Sequence, residues 1–474
     1  MSRLVCVSNR VALPRGANPT GGLAVGLLSA LRSSGGLWFG WSGETTSSGA
    51  APEEPRVVTR ENIRFATISL PESLHERSYS GFANGTLWPL FHYFLDGFHY
   101  ADEDYAAYRE VNALFARQLQ PLLRDDDLVW VHDYHLIPLG GELRKSGARN
   151  RLGFFLHIPF PHFEVLRALP RYEDLLRGLL VYDVVGFQTE VDRRAFLESI
   201  EAVFGADAVV ADPLVQVGGR CVRTGVFPIS VDVGGLARAA ARAIDSPPVR
   251  HMVEGLLDRK LIMGVDRLDY SKGLLERFAS YRHFLEDYPQ HHRRVTYVQI
   301  APLGRQNVKA YARIRDALEQ SAGRTNGHYA DVDWTPIRYL NRNFPHATLM
   351  GFFRVARVCL VTPVRDGMNL VAKEFVAAQD PSDPGVLVLS DRAGAAKELT
   401  AALLVNPYDT RAIARAIHTA LEMPLDERRA RHEKLLAAIA QNDIHTWHRR
   451  FTEALLSPLL VAGNSARIGG ASVA

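Results

Sequence analysis

Residues 260–273 read KLIMGVDRLDYSKG. Leu261, Ile262 and Met263 form an apolar run without polar alternation, and Asp266, Arg267, Asp269 and Lys272 follow directly. Uninterrupted hydrophobicity predicts a strand covered on both faces, and the charge after it falls where open parallel sheets hold ligands, outside the carboxyl ends of their strands. The pattern recurs in RLVCVSNR (3–10), DLVWVHDYHL (127–136), RLGFFLHIPFP (151–161), DVVGFQT (183–189), VTYVQIAPLG (295–304), VCLVTPVRDG (358–367) and GVLVLSDRAG (385–394). Helical periodicity fills the stretches between, at 105–123, 190–204, 274–288 and 373–379, so the chain reads as repeated βα units.

A chain of 474 residues, 47% of them hydrophobic, has enough material for two large cores. The predicted fold class is α/β, with two doubly wound parallel-sheet domains. Proline and glycine interrupt the alternation at 226–235, VFPISVDVGG, before an alanine-rich helix at 236–244. The expected division is therefore 1–230 and 231–443, followed by a terminal helix at 444–461 and a loose tail of small residues at 462–474.

Lys plus Arg number 55 against 52 Asp plus Glu, and no long block of like charge occurs, which argues against a nucleic-acid surface. Cys6, Cys221 and Cys359 lie far apart, without disulfide or metal-ligand spacing. The N-terminus enters a strand-like segment directly, and no apolar window is long enough to cross a bilayer. These features predict a cytoplasmic protein without membrane or nucleic-acid partners, and they leave a homo-oligomer open.

Several motifs follow the predicted strands. GGLAVG at 21–26 opens a helix and offers either an anion cradle or a plain glycine turn. It lacks the dinucleotide fingerprint, which disfavours a nicotinamide cofactor. In RLDYSK, Arg267 and Lys272 can clamp a diphosphate or can form a salt-bridge cluster with Asp266 and Asp269. RDGMNLVAKEF at 365–375 reads as a strand end, a turn and a helix whose first amides, at Asn369, Leu370 and Val371, face an anion, with Glu374 as an acceptor for a ribose diol. A capped structural helix is the alternative. In HDYH at 132–135 no third metal ligand accompanies the pair of histidines, and Asp133 is preferred as an acceptor for substrate hydroxyls. His157 serves the site or is a satisfied strand-end histidine. Asp125, Asp126 and Asp127 precede their strand and so lie at the wrong end of the sheet for a metal. Tyr79 and Trp88, in SYSGFANGTLWPLFHY, suit a sugar platform or a buried aromatic cluster.

SNRV (8–11), GGLAVGL (21–27), LWPLFHY (87–93), VHDYHL (131–136), FFLHIPFP (154–161), GVDRLDYSKG (264–273) and RDGMNLVAKE (365–374), in this order, closely resemble trehalose-6-phosphate synthases. The resemblance implies the GT-B arrangement of two Rossmann-like domains facing a cleft, with the C-terminal helix crossing back to the first domain. It also implies a retaining glycosyltransferase, without cofactor or required metal, that moves glucose from UDP-glucose to glucose 6-phosphate. Carried over by motif, Arg10, Tyr79 and Arg305 would hold the acceptor phosphate, Trp88 would lie beside the acceptor ring and Asp133 on its hydroxyls. Gly21 and Gly22 would approach the donor. Arg267 and Lys272 would meet its diphosphate, while Leu370, Val371 and Glu374 would meet its phosphate and ribose. Asp366, Gly367, Met368 and Asn369 would face the donor glucose, and Phe344 would border the uracil. Trp88 and Ile158 are implied in selecting the acceptor's α-anomer.

No carboxylate pair suits a double displacement at about 5 Å separation, so the expected mechanism is front-face. Asp133, His157, Arg267, Lys272 and Asp366 are its expected catalytic set. One departure is APLGR at 301–305, which lacks a hydroxyl common in that loop beside Arg305. It keeps open another acceptor such as glycerol 3-phosphate, a GDP- or ADP-glucose donor, or a non-catalytic sugar-phosphate sensor.

Overall fold

The computed structural model describes residues 2–11, 26–28, 31–32, 35–47, 54–302 and 309–458. All eight apolar runs are strands. The first sheet contains β1 (Leu4–Arg10), β2 (Gly36–Thr46), β3 (Arg56–Arg60), β4 (Ile63–Pro71), β5 (Leu128–His132), β6 (Arg151–Phe155), β7 (Val184–Phe187), β8 (Val209–Ala211), β9 (Leu214–Val217) and β10 (Arg220–Val226). Its order is β3-β4-β2-β1-β5-β6-β7-β10-β9-β8, with β3, β8 and β9 paired antiparallel at the edges. The second sheet contains β11 (Lys260–Val265), β12 (Val295–Ile300), β13 (Ile337–Leu340), β14 (Val358–Val361), β15 (Val386–Ser390) and β16 (Leu403–Val405), all parallel, in the order β13-β12-β11-β14-β15-β16.

In each sheet the chain reverses direction beside its first strand, between β1 and β5 and between β11 and β14. These are topological switch points, where the loops leaving adjacent strands splay apart and open a crevice. The loops at the two crevices carry Arg10, Asp133, Arg267 and Asp366.

The second crevice is pinned from below by Arg277, in the helix Leu274–Asp287, whose side chain has no exposed surface. Its Nη1 donates to Asp266 Oδ2 at 2.6 Å and to Gln299 Oε1 at 3.0 Å, Nε donates to Thr362 Oγ1 at 3.0 Å, and Nη2 donates to the Lys272 carbonyl at 3.2 Å. One guanidinium thereby ties together the ends of β11, β12 and β14. Gly264 makes room for it, since a Cβ there would meet Arg277 Nη1 at 2.9 Å. Asp266 is consequently the direct partner of Arg277.

Two further differences from the sequence reading have local causes. The expected helix 105–123 runs over Asp102–Leu119 and tightens into a 3-10 turn at Gln120–Leu122, where Pro121 cannot continue the α-helical ladder. The terminal helix runs over Ile444–Leu456 and stops short of 461, with Ser457 and Pro458 extending beyond it. Residues 76–87 form a π-helical stretch continuous with the helices on either side.

The terminal helix returns to the first sheet. Trp447 and Phe451 pack on Trp130 of β5 at ring separations of 4.6 and 4.3 Å, and Arg223 of β10 donates to the Ala454 carbonyl at 2.7 Å. No helix among the described residues is long and apolar enough to cross a membrane.

Removing a buried charge's partner leaves the other charge desolvated, a cost of about 3–5 kcal/mol. Arg277→Ala should lower the free energy of urea unfolding by about that amount; a loss below about 1 kcal/mol would show that Asp266 does not depend on the pair.

Candidate active site

At the carboxyl end of β11 the chain turns through Asp269, whose side chain accepts from the Ser271 amide at 3.0 Å and caps the turn Tyr270–Lys272. This turn aims Lys272 across the crevice at the loop after β14, where its Nζ meets Asp366 Oδ2 at 2.6 Å. Asn369 Nδ2 donates to the same oxygen at 3.0 Å. Burial pulls the Asp366 carboxyl upward, but the Lys272 charge and hydrogen bond, with smaller help from His92 and Asn369, hold it below the usual carboxylate range.

Asn369 occupies the left-handed region at φ 80° and caps the helix Leu370–Ala378, its Oδ1 accepting from the Ala372 amide at 3.3 Å. The cap engages the third helical amide and leaves those of Leu370 and Val371 at the open end, where the helix dipole favours an anion. Lys373 faces the other way, fully buried, with Nζ on the Ile229 carbonyl at 2.9 Å and on Glu398 at 2.6 Å.

The first sheet brings its own groups to the same place. Asp133, at φ 78°, accepts from the His157 amide at 3.2 Å, which ties the loop after β5 to that after β6. The His157 ring meets His132 at 3.1 Å, and burial lowers its pKa to about 3, so it is neutral at physiological pH. Ile158 beside it is buried.

Contacts across the cleft join the two sets. Trp88 donates Nε1 to Asp269 Oδ1 at 3.4 Å, and the half-exposed Arg267 guanidinium lies 5.5 Å from the Trp88 ring centre. Arg365 donates to the carbonyls of Phe91 and Phe160, both at 3.2 Å, and stacks over Tyr93 at 4.0 Å. Gly367 presses on the His157 carbonyl so closely that a Cβ would collide with it. Met368 is buried just behind.

Arg10 and Tyr79 are linked through rings, with no direct contact between them. Arg10 lies over Trp41 at 5.6 Å, Trp41 packs on His75 at 4.2 Å, and His75 stacks on Tyr79 at 5.1 Å. Tyr79 in turn stacks on His135, next to Tyr134, which packs against Trp88. Phe344 lies beneath the Arg342 guanidinium at 4.4 Å and meets Phe352 edge-on at 5.3 Å, while Glu374 bonds to His346 at 3.1 Å.

Gly21, Gly22 and Arg305 lie outside the described residues. Sequence reasoning missed Arg365, His92 and His346 as members of this region. Arg365 and His92 sit inside motifs already singled out, yet the partners of Arg365 are across the cleft. Burial lowers the His92 pKa to about 4, with its Nδ1 2.8 Å from the Trp88 carbonyl oxygen. Asp127, from the acidic run before β5, is engaged by Arg3 at 2.6 Å and has a structural job. Among the described residues no group of three or more potential ligands is placed to hold a metal ion.

Residues 14–457 match the model of glycosyltransferase family 20. A trehalose-6-phosphate synthase from Klebsiella pneumoniae subsp. pneumoniae is 52% identical over 456 residues, covering 96% of this chain and 95% of that protein. The solved UDP-forming alpha,alpha-trehalose-phosphate synthase from Burkholderia xenovorans, in complex with glucose-6-phosphate, is 48% identical with a TM-score of 0.93, covering 96% of this chain and 100% of that one. An E. coli structure bound with UDP-2-fluoro glucose is 50% identical with a TM-score of 0.91, covering 96% of this chain and 99% of that one. The resemblance in the motifs and the GT-B arrangement of two facing parallel-sheet units are thereby borne out.

The Lys272–Asp366 pair has a pH signature. A carboxyl held below its unfolded value adds stability that is present above that value and lost as pH falls through the folded one. In Lys272→Ala burial dominates, the carboxyl rises, and its contribution is instead lost as pH rises. The stability difference between wild type and variant, from urea unfolding at a series of acid pH values, should therefore widen as pH rises; a constant difference would contradict the coupling.

Proposed function

Because the chain belongs to glycosyltransferase family 20, we propose that it transfers glucose from UDP-glucose to glucose 6-phosphate with retention, yielding α,α-trehalose 6-phosphate and UDP. The observation that carries this reading is the convergence of Lys272, Asp366 and Asn369 on one side of a cleft with Asp133 and His157 on the other, joined where Gly367 meets the His157 carbonyl.

In the proposed arrangement the unit 1–230, with the terminal helix, binds the acceptor, and the unit 231–443 binds the nucleotide sugar. Arg267, Lys272 and the amides of Leu370 and Val371 take the diphosphate. Phe344 borders the uracil and Glu374 takes the ribose diol. Asp366, Gly367, Met368 and Asn369 face the donor glucose, with Gly21 and Gly22 approaching from the first unit. Arg10, Tyr79 and Arg305 hold the acceptor phosphate, Asp133 the acceptor hydroxyls, and Trp88 and Ile158 shape the pocket that admits its α-anomer.

The step is a front-face displacement. The anomeric hydroxyl oxygen of glucose 6-phosphate bonds to C1 of the donor as the bond from C1 to the diphosphate oxygen breaks. Both electrons of that bond leave with UDP, and the acceptor proton passes to a phosphate oxygen of the leaving group. Charge grows on the diphosphate during this step, and fixed cations and amides aimed at it stabilise the transition state without reorganising. A neutral His157, its ring held by His132, offers hydrogen bonding to the donor sugar without adding a competing charge. A cytoplasmic reaction, fed by soluble sugar phosphates, agrees with three cysteines that form no disulfide.

UDP release should require donor and glucose 6-phosphate together; equal release with either acceptor or water would overturn the reading. Arg267→Ala should reduce turnover by about 10²- to 10³-fold, measured by coupled detection of UDP, and unchanged turnover would remove Arg267 from the diphosphate.

A further inference from the structure

The segment after β13 carries Arg342, Phe344 and His346, and the last of these hydrogen-bonds to the helix Leu370–Ala378. His346 opens the helix His346–Val355, and its Nε2 lies 3.1 Å from Glu374 Oε1. The side chains are 17% and 14% exposed, so the contact is largely shielded from water yet lies at an accessible edge. An ionised carboxylate only accepts, which makes Nε2 the donor. Among the described residues, this is the one protein hydrogen bond on that carboxylate.

We propose that His346 is a positioning residue that fixes the Glu374 carboxylate, with Oε1 held by the imidazole and Oε2 directed to the ribose diol of the donor nucleotide. The inference rests on the reading of Glu374 as the ribose acceptor. A glutamate without such a partner samples several rotamers, and each must be frozen before a diol can be gripped. The imidazole performs that ordering before the nucleotide arrives, so ribose recognition meets a preorganised acceptor. Glu374 also raises the His346 pKa, through the hydrogen bond first and its charge as well, which strengthens the contact as a charge-assisted one. His346 lies two residues beyond Phe344, so the same short segment that would border the base also sets the ribose acceptor. Base and sugar recognition are thereby mechanically joined.

The test is the binding of UDP and of 2′,3′-dideoxy-UDP, each by calorimetry, to the wild-type chain, Glu374→Gln, His346→Ala and His346→Gln. The wild type should prefer UDP by about tenfold or more. Glu374→Gln should lose most of that preference, His346→Ala should lose several-fold of it, and His346→Gln, which retains an N–H donor of similar reach, should recover it. KM for UDP-glucose should rise in His346→Ala with little change in kcat. A merely structural role would leave the ratio of the two affinities unmoved. If His346→Ala keeps the wild-type ratio while Glu374→Gln loses it, the positioning role is overturned and the ribose reading stands. If Glu374→Gln also keeps the ratio, the ribose reading fails and this inference fails with it.

Discussion

A guanidinium with no exposed surface is the constraint on which the second half of the molecule depends. Arg277 cannot be buried unless its donors are satisfied, because an uncompensated charge in the interior costs several kcal/mol, against about 1 kcal/mol gained from an ordinary hydrogen bond. Its partners come from the ends of β11 and β12, from Thr362 just after β14, and from the Lys272 carbonyl. Satisfying one side chain therefore aligns three neighbouring strands and fixes the start of each loop at the crevice. Arg267, Lys272 and Asp366 all project from points set in this way.

Above that floor, the charges at the cleft are ordered by pairing. Lys272 and Asp366 neutralise one another at 2.6 Å, leaving Arg267 half-exposed against Trp88 as the more accessible cation. The opposite wall contributes His157, kept uncharged by burial, and the Asp133 carboxyl, anchored on the His157 amide. In the proposed transfer the anionic leaving group would meet cations on one side, while the acceptor would meet hydrogen-bonding groups on the other. This asymmetry is what a front-face transfer requires: charge stabilisation belongs where the bond breaks, and positioning belongs where the nucleophile stands.

The sequence was most legible where structure is locally encoded. The eight uninterrupted apolar runs are strands, since a strand buried on both faces must be apolar at every position. It was less legible where glycine broke the run. β2, with GLWFG at its start, is fully buried through its centre, but Gly40 lies there because the Ser8 carbonyl approaches too closely for a side chain. Short β13 and β16 lack the length to stand out. At the site, motif residues were identifiable from their place after strands, but their partners were not. In the sequence Asp266 stands in a salt-bridge cluster with Arg267 and Lys272, whereas its partner Arg277 lies eleven residues on, at a core-facing position among Leu274, Phe278 and Tyr281. An arginine at such a position is itself a signal that a buried acid must be near. His346 had no comparable signal, because its contact with Glu374 spans two helices.

We propose that Lys272 and Arg267 receive the diphosphate of a nucleotide sugar at the end of β11, opposite Asp133 and His157. A crystal structure of this chain with UDP and glucose 6-phosphate bound tests it most directly. The phosphate oxygens of UDP should lie within hydrogen-bonding distance of Lys272 Nζ, the Arg267 guanidinium and the Leu370 and Val371 amides, with the sugar phosphate on the first unit facing them. UDP seated elsewhere, or a diphosphate with neither cation in reach, would contradict it.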